Sequence, residues 1–253
     1  MSIREAVERL AVLALLAPSV SVAGDPAEIM RQVHERHVGD DSESTLVLDY
    51  TPASGAEREI TLEVRRKDFG DDSKTLMRYV APSFMAGSGL LVHSFNDRED
   101  RQWLYLSRSA SREPRRIPSS QKDERLFGTD FYYIDLEDKV TDSYSYRLLE
   151  SGDDGLVVIE SVPNDDDYPY DRTVSTVDTT RDMEVGVEYY VNGELHKSME
   201  VLETELIDDI WTATRVHMEN HEEGTTTLMT VREIQYNVGV GDYRFTFSEL
   251  TGR

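Results

Sequence analysis

Apolar positions fall at two different spacings along this chain, and the change between them comes early. Ile29, Met30 and Val33 recur at the helical period just after Asp25-Pro26. Aspartate at that place caps the free N–H groups of a helix start, and proline suits the first helical position. A short helix is therefore predicted, fading near His37 to Asp41. From there the period is two. Leu46, Leu48 and Tyr50 alternate with polar neighbours, as do Ile60, Leu62 and Val64 against Thr61, Glu63 and Arg65. Further strand-like runs lie at 75–80, 90–95, 102–106, 144–149, 156–162, 172–180, 185–191, 195–203, 211–218, 225–236 and 244–247. Short strands with turns about every 8–15 residues predict an antiparallel sandwich or barrel. Asn192-Gly193 is the clearest hairpin turn, because both turn positions need positive φ, and Glu222-Glu223-Gly224 closes another.

Residues 114–138 interrupt this pattern. Ser119-Ser120 ahead of Asp123 and Glu124 resembles a helix start. An aromatic stretch follows from Phe127 through Phe131, Tyr132 and Tyr133 to Leu136. A segment of this length without strand period is usually functional in a compact β domain. It is expected to form a helical turn and an aromatic cover over one end of the sheet. No linker-like stretch divides residues 24–253, so they are expected to form one domain.

The first 23 residues have the three parts of a secretory signal peptide. Arg4 and Arg9 precede the apolar run from Leu10 to Leu16, and Ser21 and Ala23 form a small-x-small cleavage site before Gly24. The alternative is an amphipathic N-terminal helix, since Glu5 and Glu8 are unusual in a leader. The apolar run is far shorter than the roughly 20 residues that span a bilayer. Export to the periplasm as a soluble, monomeric chain is expected.

Charge narrows the partners. Lys+Arg number 27 against 50 Asp+Glu, a net charge of −23 over 253 residues. Such a surface repels nucleic acid and anionic bilayers. Lysine occurs only at Lys67, Lys74, Lys122, Lys139 and Lys197. An acidic, lysine-poor surface suits concentrated salt, where screening relieves self-repulsion, as in a halophilic source. Cysteine is absent, which removes disulfides, thiol nucleophiles and thiolate metal sites. It also removes the residue that a lipid anchor needs.

Catalytic patterns are weak. His34 with His37 and His217 with His221 lack a third ligand or a general-base glutamate. Gly87-Ser88-Gly89 leads into a strand rather than a helix, unlike a nucleophile elbow. Asp165-Asp166-Asp167 lacks calcium-loop spacing and reads as a solvated loop. Carboxylates are so numerous that a pair within glycosidase distance carries little information. Trp103-Leu104-Tyr105-Leu106 is different, because a strand apolar on both faces is covered on both sides.

Several stretches resemble the outer membrane lipoprotein-sorting family related to LolA and LolB. They are Leu76-Met77-Arg78-Tyr79-Val80-Ala81-Pro82, Gly87-Ser88-Gly89-Leu90-Leu91, and Gln102-Trp103-Leu104-Tyr105-Leu106. Arg115-Arg116-Ile117, Phe127-Gly128-Thr129-Asp130-Phe131, Trp211, Met218-Glu219-Asn220 and Phe245-Thr246-Phe247 follow in order. The spacing is nearest to the subgroup often encoded beside RND-type exporters. One departure is Ser107-Arg108-Ser109, where relatives often carry proline and a basic cluster. The resemblance implies a mainly β fold, an incomplete antiparallel barrel of about eleven strands around an apolar cavity. It implies binding of lipid or lipoprotein acyl chains, with no cofactor, no metal and no enzymatic chemistry. On that basis the cavity wall is assigned to Leu62, Val64, Leu90, Val92, Trp103, Tyr105 and Trp211. The lid is assigned to Phe127, Phe131 and Tyr133, and Arg115 and Arg116 to a headgroup or partner. Two rivals are a non-enzymatic adaptor or sensor for a membrane transporter, and a hydrolase working through two carboxylates.

Overall fold

The computed structural model describes residues 24–137, 141–152 and 154–253; the leader reading of residues 1–23 lies outside them. After helix α1 (Pro26–Glu35) come β1 (Asp41–Thr51), β2 (Arg58–Phe69), β3 (Asp72–Ala81), β4 (Gly89–Ser94), β5 (Arg101–Tyr105) and β6 (Arg115–Arg116). The second series is β7 (Tyr144–Ser151), β8 (Leu156–Pro163), β9 (Arg172–Asp178), β10 (Met183–Val191), β11 (Glu194–Ile207), β12 (Ile210–Asn220) and β13 (Thr225–Tyr236). A short helix α2 (Phe247–Thr251) ends the chain.

All strands belong to one antiparallel sheet with the order β6-β5-β4-β3-β2-β1-β13-β12-β11-β10-β9-β8-β7. Two meanders are thus welded along β1 and β13, where Leu48 faces Met229 and Tyr50 faces Thr227. The sheet is an open, incomplete barrel of thirteen strands, a few more than the resemblance implies. Its order has one geometric consequence. β6 and β7 are consecutive in sequence but lie at opposite edges, so the chain between them has to cross a face of the sheet.

The crossing segment determines where the core sits. Ile117, Leu126 and Phe131 to Ile134 pack into one cluster with Leu48, Ile60, Leu62, Tyr79, Leu90, Val92, Val216 and Met218. We call this covered face the inner face. At its far end Met30 and Val33 of α1 pack on Val157, Ile159 and Val177 of β8 and β9. Asp25 caps α1 as predicted, its carboxylate accepting from Ala27 N at 3.0 Å. The Asn192-Gly193 turn also forms, with φ of 52° and 81°.

Two local predictions are corrected. Residues 244–247 are not a strand: Asp242–Arg244 form a 3₁₀ turn, and Thr246 caps α2 by accepting from Glu249 N. Phe245 and Leu250 then bury together against Leu76, Leu91 and Tyr105 on the outer face. The alternation of Phe245 and Phe247 straddles a helix cap, which mimics a strand period. Ser119 likewise caps nothing. It starts a 3₁₀ turn, Ser119–Gln121, without a side-chain cap, and its hydroxyl donates to Glu99 at 2.7 Å.

Candidate functional site

Three buried polar groups fasten the crossing segment to the sheet. Asp130 is fully buried. Its carboxylate accepts from Thr225 Oγ1 at 2.6 Å and Thr227 Oγ1 at 2.8 Å on β13, and Arg125 stands 3.2 Å away. Asp135 accepts from Lys197 Nζ at 2.5 Å, from the Tyr170 hydroxyl at 2.8 Å and from Tyr132 N at 2.7 Å. Lys197 of β11 is itself fully buried, with the rings of Tyr132, Tyr189 and Tyr170 at 3.8, 4.9 and 5.4 Å. Burial holds its ammonium below the usual range against the pull of Asp135. Ring faces and one carboxylate compensate for the lost hydration. Burial also pushes the Tyr170 and Tyr189 phenols well up, so they stay neutral donors.

The third group is Lys122, 2.5 Å from Glu137 and 2.7 Å from Glu99. Two carboxylates hold its proton and raise it despite burial. Glu137 is less well served. Burial pushes it up to about 7, the shared ammonium only partly opposes this, and Asp100 and Glu99 add to the rise. A carboxyl raised from 4.5 to about 7 on folding binds its proton more tightly in the native state. Its contribution is complete below pH 4.5 and is lost as pH climbs through 7. The full change amounts to about 3 kcal/mol at 1.36 kcal/mol per pH unit. Glu137→Gln is expected to flatten that part of the stability profile, which urea unfolding at pH 5 and pH 8 measures. Equal pH slopes in both proteins would contradict the assignment.

Beside the fastened segment lies a cavity of about 350 Å³. Val33 and His34 of α1 and Arg36 just after it roof it, Ile134, Asp135 and Glu137 close one side, and strands β8 to β12 supply the floor. Met183, Met199, Val201 and Val216 give it an apolar wall, Arg36, Asp135, Glu137, Arg172 and Glu184 also line it, and Tyr168, Tyr170 and Tyr189 form an aromatic ladder along it, with ring centroids 6.1 and 5.0 Å apart. A larger cleft of about 900 Å³, which shares Val33, His34 and Arg36 with this cavity, is lined by Arg66, Asp68, Asp72 and other charged side chains, which suits water. Among the described residues no helix is long and apolar enough to cross a membrane.

The residues picked out from sequence divide into three groups. Leu62, Leu90 and Val92 are buried on the inner face with Val64 packed beside them, and Phe127, Phe131 and Tyr133 lie directly over that cluster. Wall and lid therefore meet, but as packed core rather than as an open space, and none of these residues lines the 350 Å³ cavity. Trp103 and Tyr105 are corrected to the outer face, where they pack with Leu76, Leu91 and Leu250; Gln102 and Leu104 are the inward residues of β5. The strand is apolar on both sides as read, because the C-terminal segment covers its back. Trp211 is corrected to the far end of β12, 36% exposed, with the Arg181 guanidinium 5.1 Å from its ring centre. Arg115 and Arg116 are exposed on edge strand β6, Arg115 donating to Gln121 at 2.9 Å.

Sequence reading missed Lys197, Asp130, Asp135 and the cavity-lining Ser161 and Thr173. Lys197 carried a signal: it occupies the same strand phase as Leu195, Met199 and Val201 in a chain that otherwise prefers arginine.

A protein family described as "-like: Uncharacterized protein" matches residues 71–252. Among solved structures, a DUF1329 family protein from Desulfovibrio piger is similar at 26% identity, with 90% of this chain and all of that chain covered and a TM-score of 0.81. A domain assigned to outer membrane lipoprotein sorting from Vibrio parahaemolyticus matches at 26% identity over 89% of this chain and 98% of its own, TM-score 0.81. A LolA superfamily protein from Nitrosomonas europaea shares the fold at 20% identity, with 88% and 98% covered and a TM-score of 0.69. No curated protein matches the chain.

Proposed function

The chain belongs to the outer membrane lipoprotein-sorting, LolA-like family, and from this we propose that it is a non-enzymatic carrier that shelters an acyl chain in the cavity beneath α1. The observation that carries the proposal is that cavity: about 350 Å³, within the range of about 300–1,000 Å³ common for small-molecule pockets, with methionine, valine and tyrosine walls. Each methylene buried from water contributes about 0.8 kcal/mol, so a chain leaves a membrane for such a space but not for solvent. In this reading the ligand compartment lies under β8 to β12, and the segment over the N-terminal meander is a plug that keeps the sheet curled around it.

The proposal includes export to the periplasm, action there as a monomer, and docking on an RND-type transporter, with Arg115 and Arg116 at the exposed edge meeting an acidic partner or a headgroup. A two-carboxylate hydrolase fits less well. Glu137, the carboxylate with the raised proton affinity, is held by Lys122 at 2.5 Å and Gln102 at 3.3 Å rather than set across a polar cleft.

Native mass spectrometry of the protein isolated from its own envelope tests the proposal. A lipid-sized adduct is expected in the wild type. Ala213→Trp, which puts a bulky ring at the cavity wall, is expected to lower the loaded fraction about tenfold while circular dichroism stays unchanged. Wild-type protein free of lipid would favour the adaptor reading instead, and equal loading of the variant would move the ligand elsewhere.

A further inference from the structure

Two hydroxyls in the cavity have no use within the fold. Ser161 of β8 and Thr173 of β9 are register partners on neighbouring strands. They are 1% and 5% exposed, and both line the cavity. Ser161 Oγ and Thr173 Oγ1 have no hydrogen-bond partner among the described residues. Buried hydroxyls are nearly always paired, so an adjacent unpaired couple on residues that line a ligand-sized space marks a place where a ligand supplies the missing partner.

The charges around them limit what that partner is. Both guanidinium groups at the cavity are engaged elsewhere. Arg36 donates to Trp211 O at 2.9 Å; Arg172 lies 3.5 Å from Glu160 and 3.6 Å from the ring centre of Tyr190. The carboxylates of Asp135, Glu137 and Glu184 also line the space; the first two are held by Lys197 and Lys122, and Glu184 accepts from Ser175 Oγ at 2.6 Å. A phosphate or free carboxylate placed here would meet three acidic groups and no uncommitted guanidinium. An ester carbonyl meets neither problem, because its oxygen has two lone pairs and accepts from two neighbouring hydroxyls at once.

We propose that the Ser161–Thr173 hydroxyl pair is a polar subsite that selects an uncharged ester, making the preferred cargo a neutral glyceride rather than an anionic lipid. This rests on the carrier reading and specifies its ligand. Apolar walls hold the acyl chain, and the two hydroxyls fix its ester end.

The test uses the full mature chain freed of lipid, titrated by calorimetry with 1-monopalmitoylglycerol, palmitate and palmitoyl lysophosphatidylglycerol. All three probes carry the same hydrocarbon tail. The glyceride is expected to bind about tenfold tighter than either anion, and Ser161→Ala/Thr173→Val to abolish that preference, a loss of about tenfold for two hydrogen bonds. Tight binding of all three probes, or an unchanged preference in the variant, overturns the subsite and leaves the carrier standing. Failure of every probe to bind overturns the carrier reading itself. Should the double variant not fold, the ranking of the three probes on the wild type still decides.

Discussion

Replacing Lys197 by methionine is expected to lower the unfolding free energy by about 3–5 kcal/mol, the usual consequence of leaving one partner of a buried ion pair uncompensated. Methionine keeps much of the apolar stem, so the loss reports the charge and not a cavity. Asp135 would remain at 4% side-chain exposure with the Tyr170 hydroxyl and Tyr132 N as its donors, too little to balance a full negative charge in that setting. The segment at 130–136 is expected to loosen first, because Asp135 is its anchor on β11. Urea unfolding gives the magnitude, and hydrogen exchange at 126–136 gives the location. Lys197→Met/Asp135→Leu should recover part of the loss, since paired removal spares the fold an isolated charge. Only part returns, because Tyr170 and Tyr132 lose their acceptor. A single-variant cost below about 1 kcal/mol would show that the pair adds nothing to fastening the plug.

The architecture was legible wherever one face of a strand is buried and the other is wet. Ile60, Leu62 and Val64 alternate because each inward residue meets the plug, and the same holds for Val216 and Met218. Legibility failed where something covers the outer face. Trp103 and Tyr105 look like cavity wall for the same reason that Leu104 does, and only the docking of Phe245 and Leu250 behind β5 separates them. A two-residue strand such as β6 offers no period to read. The cavity under α1 was missed for another reason: its aromatic ladder begins in the loop 164–171, where three exposed aspartates hide a Tyr170 that is 3% exposed. Asp165-Asp166-Asp167 are solvated as expected, but that reading says nothing of the tyrosines that follow them.

Strand order explains why a plug exists at all. Strands consecutive in sequence are neighbours in the sheet everywhere except β6 and β7, and β1–β13 is the one neighbouring pair that is not consecutive. The connection at 117–143 has to run from edge to edge, and the inner face is the route on which its aromatic residues are buried. Such a crossing exposes backbone groups in mid-sheet, where no neighbouring strand pairs them. Side chains take over that role: Gln102 Nε2 donates to Tyr133 O at 2.9 Å, and Thr227 Oγ1 accepts from Asp130 N at 2.9 Å. Sequence composition gives no hint of this, because the polar residues concerned sit on strands far from the segment they serve.

Asp130 carries the second large effect. Alanine at this position removes the acceptor of two threonine hydroxyls on β13 and the carboxylate that Arg125 approaches at 3.2 Å. Thr227 is fully buried and Thr225 nearly so, and each hydroxyl left without its acceptor costs about 1–3 kcal/mol. Arg125 retains Glu223 at 2.8 Å and the Tyr50 hydroxyl at 3.0 Å, so its share of the loss is small. Asp130→Ala is therefore expected to cost about 3 kcal/mol or more, and Asp130→Asn less, because the amide still accepts one hydroxyl. The two variants should also differ from Lys197→Met in where exchange accelerates. Loosening is expected around 125–130 and β13, on the N-terminal side of the plug, with α1 and β7 to β9 keeping their protection. Lipid loading should then respond differently too: Lys197→Met loosens the wall of the cavity at Asp135, whereas Asp130 touches none of it. Uniform acceleration of exchange across the sheet in Asp130→Ala would mean that the aspartate stabilises the whole fold and does not act as a local peg.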